Sequence, residues 1–169
     1  MQKTKLSPKF WAALTIFSFV GQAAWVVENM YFNVFIYKMF SASAADISAM
    51  VMASAVVAAL TTIIMGAVSD RLGRRKAFIS VGYLIWGVSI IAFAYIKSVT
   101  LTSVMDCVMT FFGSTANDAA YNAWITDRGD ETNRGKIEGV NSMMPLLAIL
   151  IVFGGFMSFD LDTSEAWTK

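Results

Sequence analysis

The residues of this chain best placed to do chemistry are carboxylates set in apolar surroundings. Glu28, Asp106 and Asp118 each fall inside a long hydrophobic run. An ionisable side chain there costs roughly 2.5–3.5 kcal/mol even on lenient insertion scales, so it usually faces a cavity and marks a path or a proton site. At about 100° per residue, Gln22, Asn29 and Asn33 project to nearly one line of a helix, and Trp25, Phe32 and Glu28 widen that line to an arc of about 140°. A second stripe carries Asp106, Thr110, Gly113, Asn117 and Tyr121, with Ser114 and Asp118 at its shoulder. The plainer alternative is that a buried acid pairs with a neighbour or snorkels, and that aromatic residues near span ends, such as Trp11, Tyr37, Tyr95 and Trp124, are interface anchors.

Other chemistries are excluded by what the sequence lacks. His is absent and Cys107 is the only cysteine, which removes imidazole acid/base chemistry, disulfides and Cys/His metal clusters. Proton chemistry must therefore fall to carboxylates. No phosphate-cradling glycine loop or paired nucleophile and base is present, so an enzyme is not expected. A net charge of +1 says nothing about partners, and the lack of a soluble basic face argues against a nucleic-acid partner.

The elements that position these residues are spans. With 57% hydrophobic and 15% charged residues, the expected solvent is lipid. Five windows reach the roughly 20 apolar residues that a helix needs to cross the hydrocarbon: residues 11–37, 45–68, 77–96, 101–124 and 139–158. They must be helices, because an isolated strand would leave its backbone unpaired in lipid. The first window also admits a signal-peptide reading, with Lys3, Lys5 and Lys9 ahead of it and small residues at 41–45, although its apolar part is too long and holds Glu28 and Asn29. Ten Lys and Arg fall on one side of the spans and three on the other. By the positive-inside rule the amino terminus is cytoplasmic, and the tail 158–169 lies outside.

The second link is the most distinctive. Gly66, Asp70, Arg71, Gly73, Arg74, Arg75 and Lys76 bracket a tight turn with glycines where the backbone bends or helices touch. Read alone, its basic residues are topogenic charge beside anionic lipid. Their spacing, however, closely resembles the signature between the second and third helices of major facilitator superfamily transporters, and it occupies the same place here. The link between the fourth and fifth spans, with Asp127, Arg134 and Gly135, is similar to a second family motif. The resemblance covers the whole chain.

The fold it implies is an all-α membrane protein: about five transmembrane helices of the amino-terminal six-helix bundle, truncated, with the carboxyl-terminal half absent as a partner. In that family the second link is implied to be a conformational latch, with Asp70 its acid and Arg71, Arg74 and Arg75 its network; a carboxylate at a helix amino terminus gains about 0.3–1 kcal/mol. The first and fourth helices are implied to line a central cavity. That would set Gln22, Trp25, Glu28, Asn29 and Asn33 opposite Asp106, Asn117, Asp118 and Tyr121. At 1.5 Å per residue, Glu28 and Asp106 fall roughly 7–10 Å outward of the midplane and Asp118 as far inward. Amides would hold a hydroxylated solute, Trp25, Tyr31, Tyr121 and Trp124 would suit stacking on a sugar ring, and a carboxylate would carry the driving ion.

The expectation is secondary active transport at the plasma membrane by alternating access, as symport of a sugar or similar solute with a proton or sodium ion and no other cofactor. The alternatives are the drug and proton antiporter branch and a fragment without activity of its own. The antiporter branch has a Gly-Pro pair followed by paired glycines in its fifth helix. Here Pro145 follows Met144 and Gly154-Gly155 come much later. The alanines of the second span, Ala49, Ala53, Ala55, Ala58 and Ala59, are expected to form a packing surface.

Overall fold

The structure, a computed structural model, describes residues 6–93 and 95–157. Lys3, Lys5 and the tail 158–169, on which part of the charge count rests, lie outside the described residues. Five helices are long and apolar enough to cross a membrane: α1 Pro8–Phe40, α2 Ala44–Leu72, α3 Arg75–Phe93, α4 Val99–Arg128 and α5 Arg134–Phe156. No strand occurs among the described residues.

The helix ends follow local chemistry. Ser7 caps α1, its hydroxyl accepting the Phe10 N–H at 3.2 Å with Pro8 at the first helical position. Ser41, at φ 50°, ends α1 in the left-handed region. Ser43 and Asp46 form a reciprocal capping box on α2, with contacts of 3.0 and 3.2 Å. The α2 terminus is set by Gly73, whose φ of 61° only glycine adopts without strain and whose N–H donates to the Ser69 carbonyl at 3.0 Å. Before α5, the Asp130 carboxylate accepts the Thr132 and Asn133 N–H groups at 3.0 and 2.9 Å. Three of the helices, α1, α2 and α4, overrun their expected windows at both ends, and α5 does so at its start, because these polar caps still wind helically. The third stops short: it closes at Phe93, and Ile96 turns back into the core.

Two apolar cores hold the bundle at its opposite ends. One gathers Phe32, Phe35 and Ile36 of α1, Met50 of α2, Trp86 and Phe93 of α3 and Met109 of α4. Phe32 and Phe93 stack there at 3.9 Å, nearly parallel. The other joins Phe10 and Leu14 of α1, Ile79 of α3, Tyr121 and Ile125 of α4 and Ile137 of α5. α5 lies along α1, fixed by a 2.7 Å hydrogen bond from the Ser18 hydroxyl to Asn141 and by Tyr31 stacked 4.1 Å from Phe156. The outward faces stay apolar, as a lipid-facing surface requires.

α2 packs differently from the sequence expectation. Its inward stripe is Met50, Ser54, Ala58, Thr61 and Ser69, with Ser54 and Ala58 half-buried and the other three buried, while Ala49, Ala53, Ala55 and Ala59 are exposed. The stripe spacing of three or four residues selects which side chains meet α4, and most of the alanines fall off that line.

Candidate functional site

Between the two cores lies a polar cleft of about 170 Å³. α1 contributes Trp25, Glu28, Asn29 and Asn33, α2 contributes Ser54, α3 contributes Trp86, and α4 contributes Asp106, Thr110, Asn117 and Asp118. Both helices that supply carboxylates widen there into π-helical turns, at Val27–Tyr31 in α1 and Ser114–Tyr121 in α4. Such turns wind less per residue, which frees backbone groups and re-aims side chains.

Glu28 is the hub. One carboxylate oxygen accepts the Trp86 indole N–H at 2.8 Å and the other accepts the Thr110 hydroxyl at 3.0 Å, so a single buried side chain joins α1, α3 and α4. Asp106 is also buried and accepts from the Ser54 hydroxyl, which ties α4 to α2. Asp118 is exposed within the cleft and accepts only the Asn117 amide, at 3.1 Å. The Asn117 oxygen in turn lies 3.0 Å from the Tyr83 hydroxyl, which also reaches the Phe17 carbonyl at 2.9 Å. Among the described residues no Lys or Arg lines this cleft. Its three acids accept hydrogen bonds from neutral donors.

The amides of α1 are partly engaged with their own helix. Asn29 donates to the Trp25 carbonyl at 3.1 Å and Asn33 to the Asn29 carbonyl at 2.7 Å. The Asn33 oxygen is buried with no partner, an acceptor available to a ligand donor.

Two of the expected wall residues fall elsewhere. Tyr121 is 1% exposed, its hydroxyl donating to the Leu14 carbonyl at 2.9 Å, and it belongs to the core beside α5. A uniform 100° projection carried it onto the stripe, whereas the π-helical turn ahead of it rotates it inward and brings Asp118 into the cleft. Gln22 is half-buried on α1 and stays out of the cleft lining. Of the four aromatics expected to stack on a solute, Trp25 alone lines the cleft. Tyr31 packs on Phe156, and Trp124 packs on Phe10 at 5.0 Å.

Trp86, Thr110 and Ser54 went unassigned as carboxylate partners in the sequence. A Trp in the middle of a span was the available signal, because its indole N–H needs an acceptor there. Gly82 and Gly113 let α3 and α4 approach closely enough for these bonds. A Cβ on Gly82 would sit 2.7 Å from that of Ala116, and one on Gly113 would sit 2.9 Å from the Trp86 ring.

The basic link forms a separate network at the far end of α2. The Arg75 guanidinium pairs with Asp70 at 2.7 Å and with Asp127 at 3.0 Å, so one side chain connects the two motifs singled out by sequence. Arg71, Arg74 and Lys76 form no ion pair among the described residues. Arg134 opens α5, its N–H donating to the Asp130 carbonyl at 2.9 Å, away from that network. Gly66 and Gly135 have nothing within 4 Å of an added Cβ, so neither serves a close helix contact inside this bundle. For Gly66 this corrects the expectation: α2 runs straight through it, and Gly73 alone makes the turn.

Five apolar helices, four of which line an acidic cleft, define an all-α, multi-pass membrane protein. Residues 9–164 match the Major Facilitator Superfamily, and the chain belongs to that family. Its members are membrane transporters rather than enzymes. Neither a curated protein nor a solved structure matches the chain.

Proposed function

We propose that this bundle forms one wall of a transport path in the plasma membrane, and that it couples movement of a small hydroxylated solute to a proton or sodium ion by alternating access. The observation that carries the reading is Glu28, a carboxylate that joins three helices through neutral donors, with Asp106 and Asp118 on the same cleft and no basic residue lining it among the described residues. A carboxylate in that setting gains from binding a cation and loses it when the cleft opens to water. Trp25 offers a ring face, and the Asn33 oxygen and the Asn29 amide offer polar contacts for a hydroxylated solute. A second helical bundle supplies the other wall. The cleft is open on that side, and α2 presents exposed Met52, Val56, Leu60 and Ile63 toward whatever covers it.

The basic link acts in this proposal as a latch. Arg75 fastens the end of α2 to the end of α4, and exchange of its partners accompanies the change of access. The amino terminus is cytoplasmic, on the side of Arg75.

A cation-free acidic cleft also favours a second reading, in which the solute itself is cationic and exchanges for protons. Reconstituted transport with Glu28→Gln separates the readings. In symport the variant loses gradient-driven accumulation and keeps passive exchange of an uncharged sugar. In antiport, exchange of an organic cation fails while sugars are never carried. Equal loss of accumulation and exchange, with reduced folded yield, would leave Glu28 a structural residue and remove the coupling role.

A further inference from the structure

A second cavity, of about 330 Å³, lies on the outer flank of the bundle between α1, α3 and α4 and opens at the end that carries Arg75. Its rim holds Lys9 of α1, Lys76 of α3 and Arg128 of α4, all three exposed, with the Ser7 and Ser80 hydroxyls beside them. Below the rim the wall is Phe10, Ala13, Phe17 and Ile79. Trp124 closes one side, and its indole nitrogen is buried with no hydrogen-bond partner. A Trp N–H is a donor only, so an unpaired one at the membrane boundary calls for an acceptor oxygen.

We propose that this cavity is a binding site for the phosphodiester headgroup of an anionic phospholipid. The three cations complement the phosphate charge, the orphan indole N–H donates to a phosphate or ester oxygen, and the apolar floor receives the first part of an acyl chain. A free phosphate would use the rim and gain nothing from Phe10, Phe17 and Ile79. None of these three cations pairs with a carboxylate among the described residues, whereas Arg75 nearby is already engaged twice. Basic pockets between helices at a membrane surface have the charge and depth that anionic headgroups require. Because Lys76 and Arg128 also border the cleft of the Arg75 network, a lipid seated here would touch the groups that the latch would move.

The test is lipid retention by the full chain in detergent, read by native mass spectrometry after exposure to phosphatidylglycerol or phosphatidylcholine of matched chains. The chain is expected to retain one phosphatidylglycerol selectively. Replacement of Lys76 or Arg128 by Gln should weaken retention about fivefold each, the effect of one basic residue near an anionic surface. Trp124→Phe, which keeps the ring and removes the N–H, should weaken it by a smaller factor. Lys136→Gln, an exposed cation outside the cavity, should change nothing. Equal retention of both lipids, or an equal loss with Lys136→Gln, would reduce the cavity to general surface charge and overturn the proposal. Displacement of the lipid by millimolar glycerol phosphate would overturn it in favour of a soluble anion. Circular dichroism of each variant separates lost binding from lost fold.

Discussion

Glu28 and Asp70 are both carboxylates, yet their surroundings give them opposite properties. Glu28 is buried and bonded to an indole and a hydroxyl, neither of which carries charge. Asp70 is 58% exposed and faces a guanidinium at 2.7 Å. Neutral donors satisfy the geometry of an acid without cancelling its charge, which is the basis of the coupling role proposed for Glu28. An arginine cancels the charge and fixes the partner, which suits Asp70 to holding two helix ends together and little else. Within the membrane a removed partner leaves donors stranded, whereas at the surface water replaces it.

That contrast sets the largest expected effect. Glu28→Ala leaves the Trp86 N–H and the Thr110 hydroxyl without their acceptor, at about 1–3 kcal/mol for each buried donor left unpaired. Glu28→Gln keeps an oxygen for Trp86, and its amide can donate to the Thr110 hydroxyl, so most of the stability should return. Thermal unfolding of the detergent-solubilised chain, followed by circular dichroism, measures both. Ala and Gln variants melting together would mean that the hydrogen bonds at Glu28 contribute nothing to the fold, and the contrast with Asp70 would be lost.

The same contrast explains which parts of the molecule were legible in the sequence. Spans were legible because lipid demands long apolar runs, and the buried acids because each is costly enough to stand out against such a run. The Arg75 motif was legible through the resemblance of its spacing to a family signature, since read alone its charges are topogenic. Side-chain facing was less legible wherever the helix departs from a uniform pitch. Tyr121 projected onto the cleft stripe, and the π-helical turn at Ser114–Tyr121 removed it while bringing in Asp118. The alanines of α2 looked like a packing surface, but Met50 joins the core with Met109 of α4 and Ser54 bonds to Asp106, while most of the alanines are exposed. Ser54 was missed because it is not unusual by residue type, whereas Trp86 carried a signal, a mid-span indole N–H that needs an acceptor, without naming which acid supplies it.

A smaller effect is expected at the surface network. Arg75→Gln breaks both ion pairs, and exposed pairs are worth about 0.2–1 kcal/mol each. The loss should shrink as salt approaches about 1 M, where the screening length falls to about 3 Å. Unfolding at low and high salt tests this directly. A salt-independent loss of several kcal/mol would show that Arg75 behaves as a buried group, and the difference between the two carboxylate sites would lie in position alone.

The smallest effect is expected at Gly66. It sits within α2 with nothing near an added Cβ, so Ala should fit without a clash. Alanine is also favoured over glycine in a helix interior by roughly 0.5–1 kcal/mol. The melting temperature of the five-helix chain should therefore hold or rise slightly. Transport gives the complementary measurement. If the second bundle proposed as the other wall of the path packs on this face, Gly66→Ala should slow uptake in the assembled transporter while leaving the chain itself stable. A fall in the stability of the isolated chain would place the contact inside this bundle, and unchanged transport would detach Gly66 from the latch and leave Gly73, with its left-handed backbone, as the only glycine that the link needs.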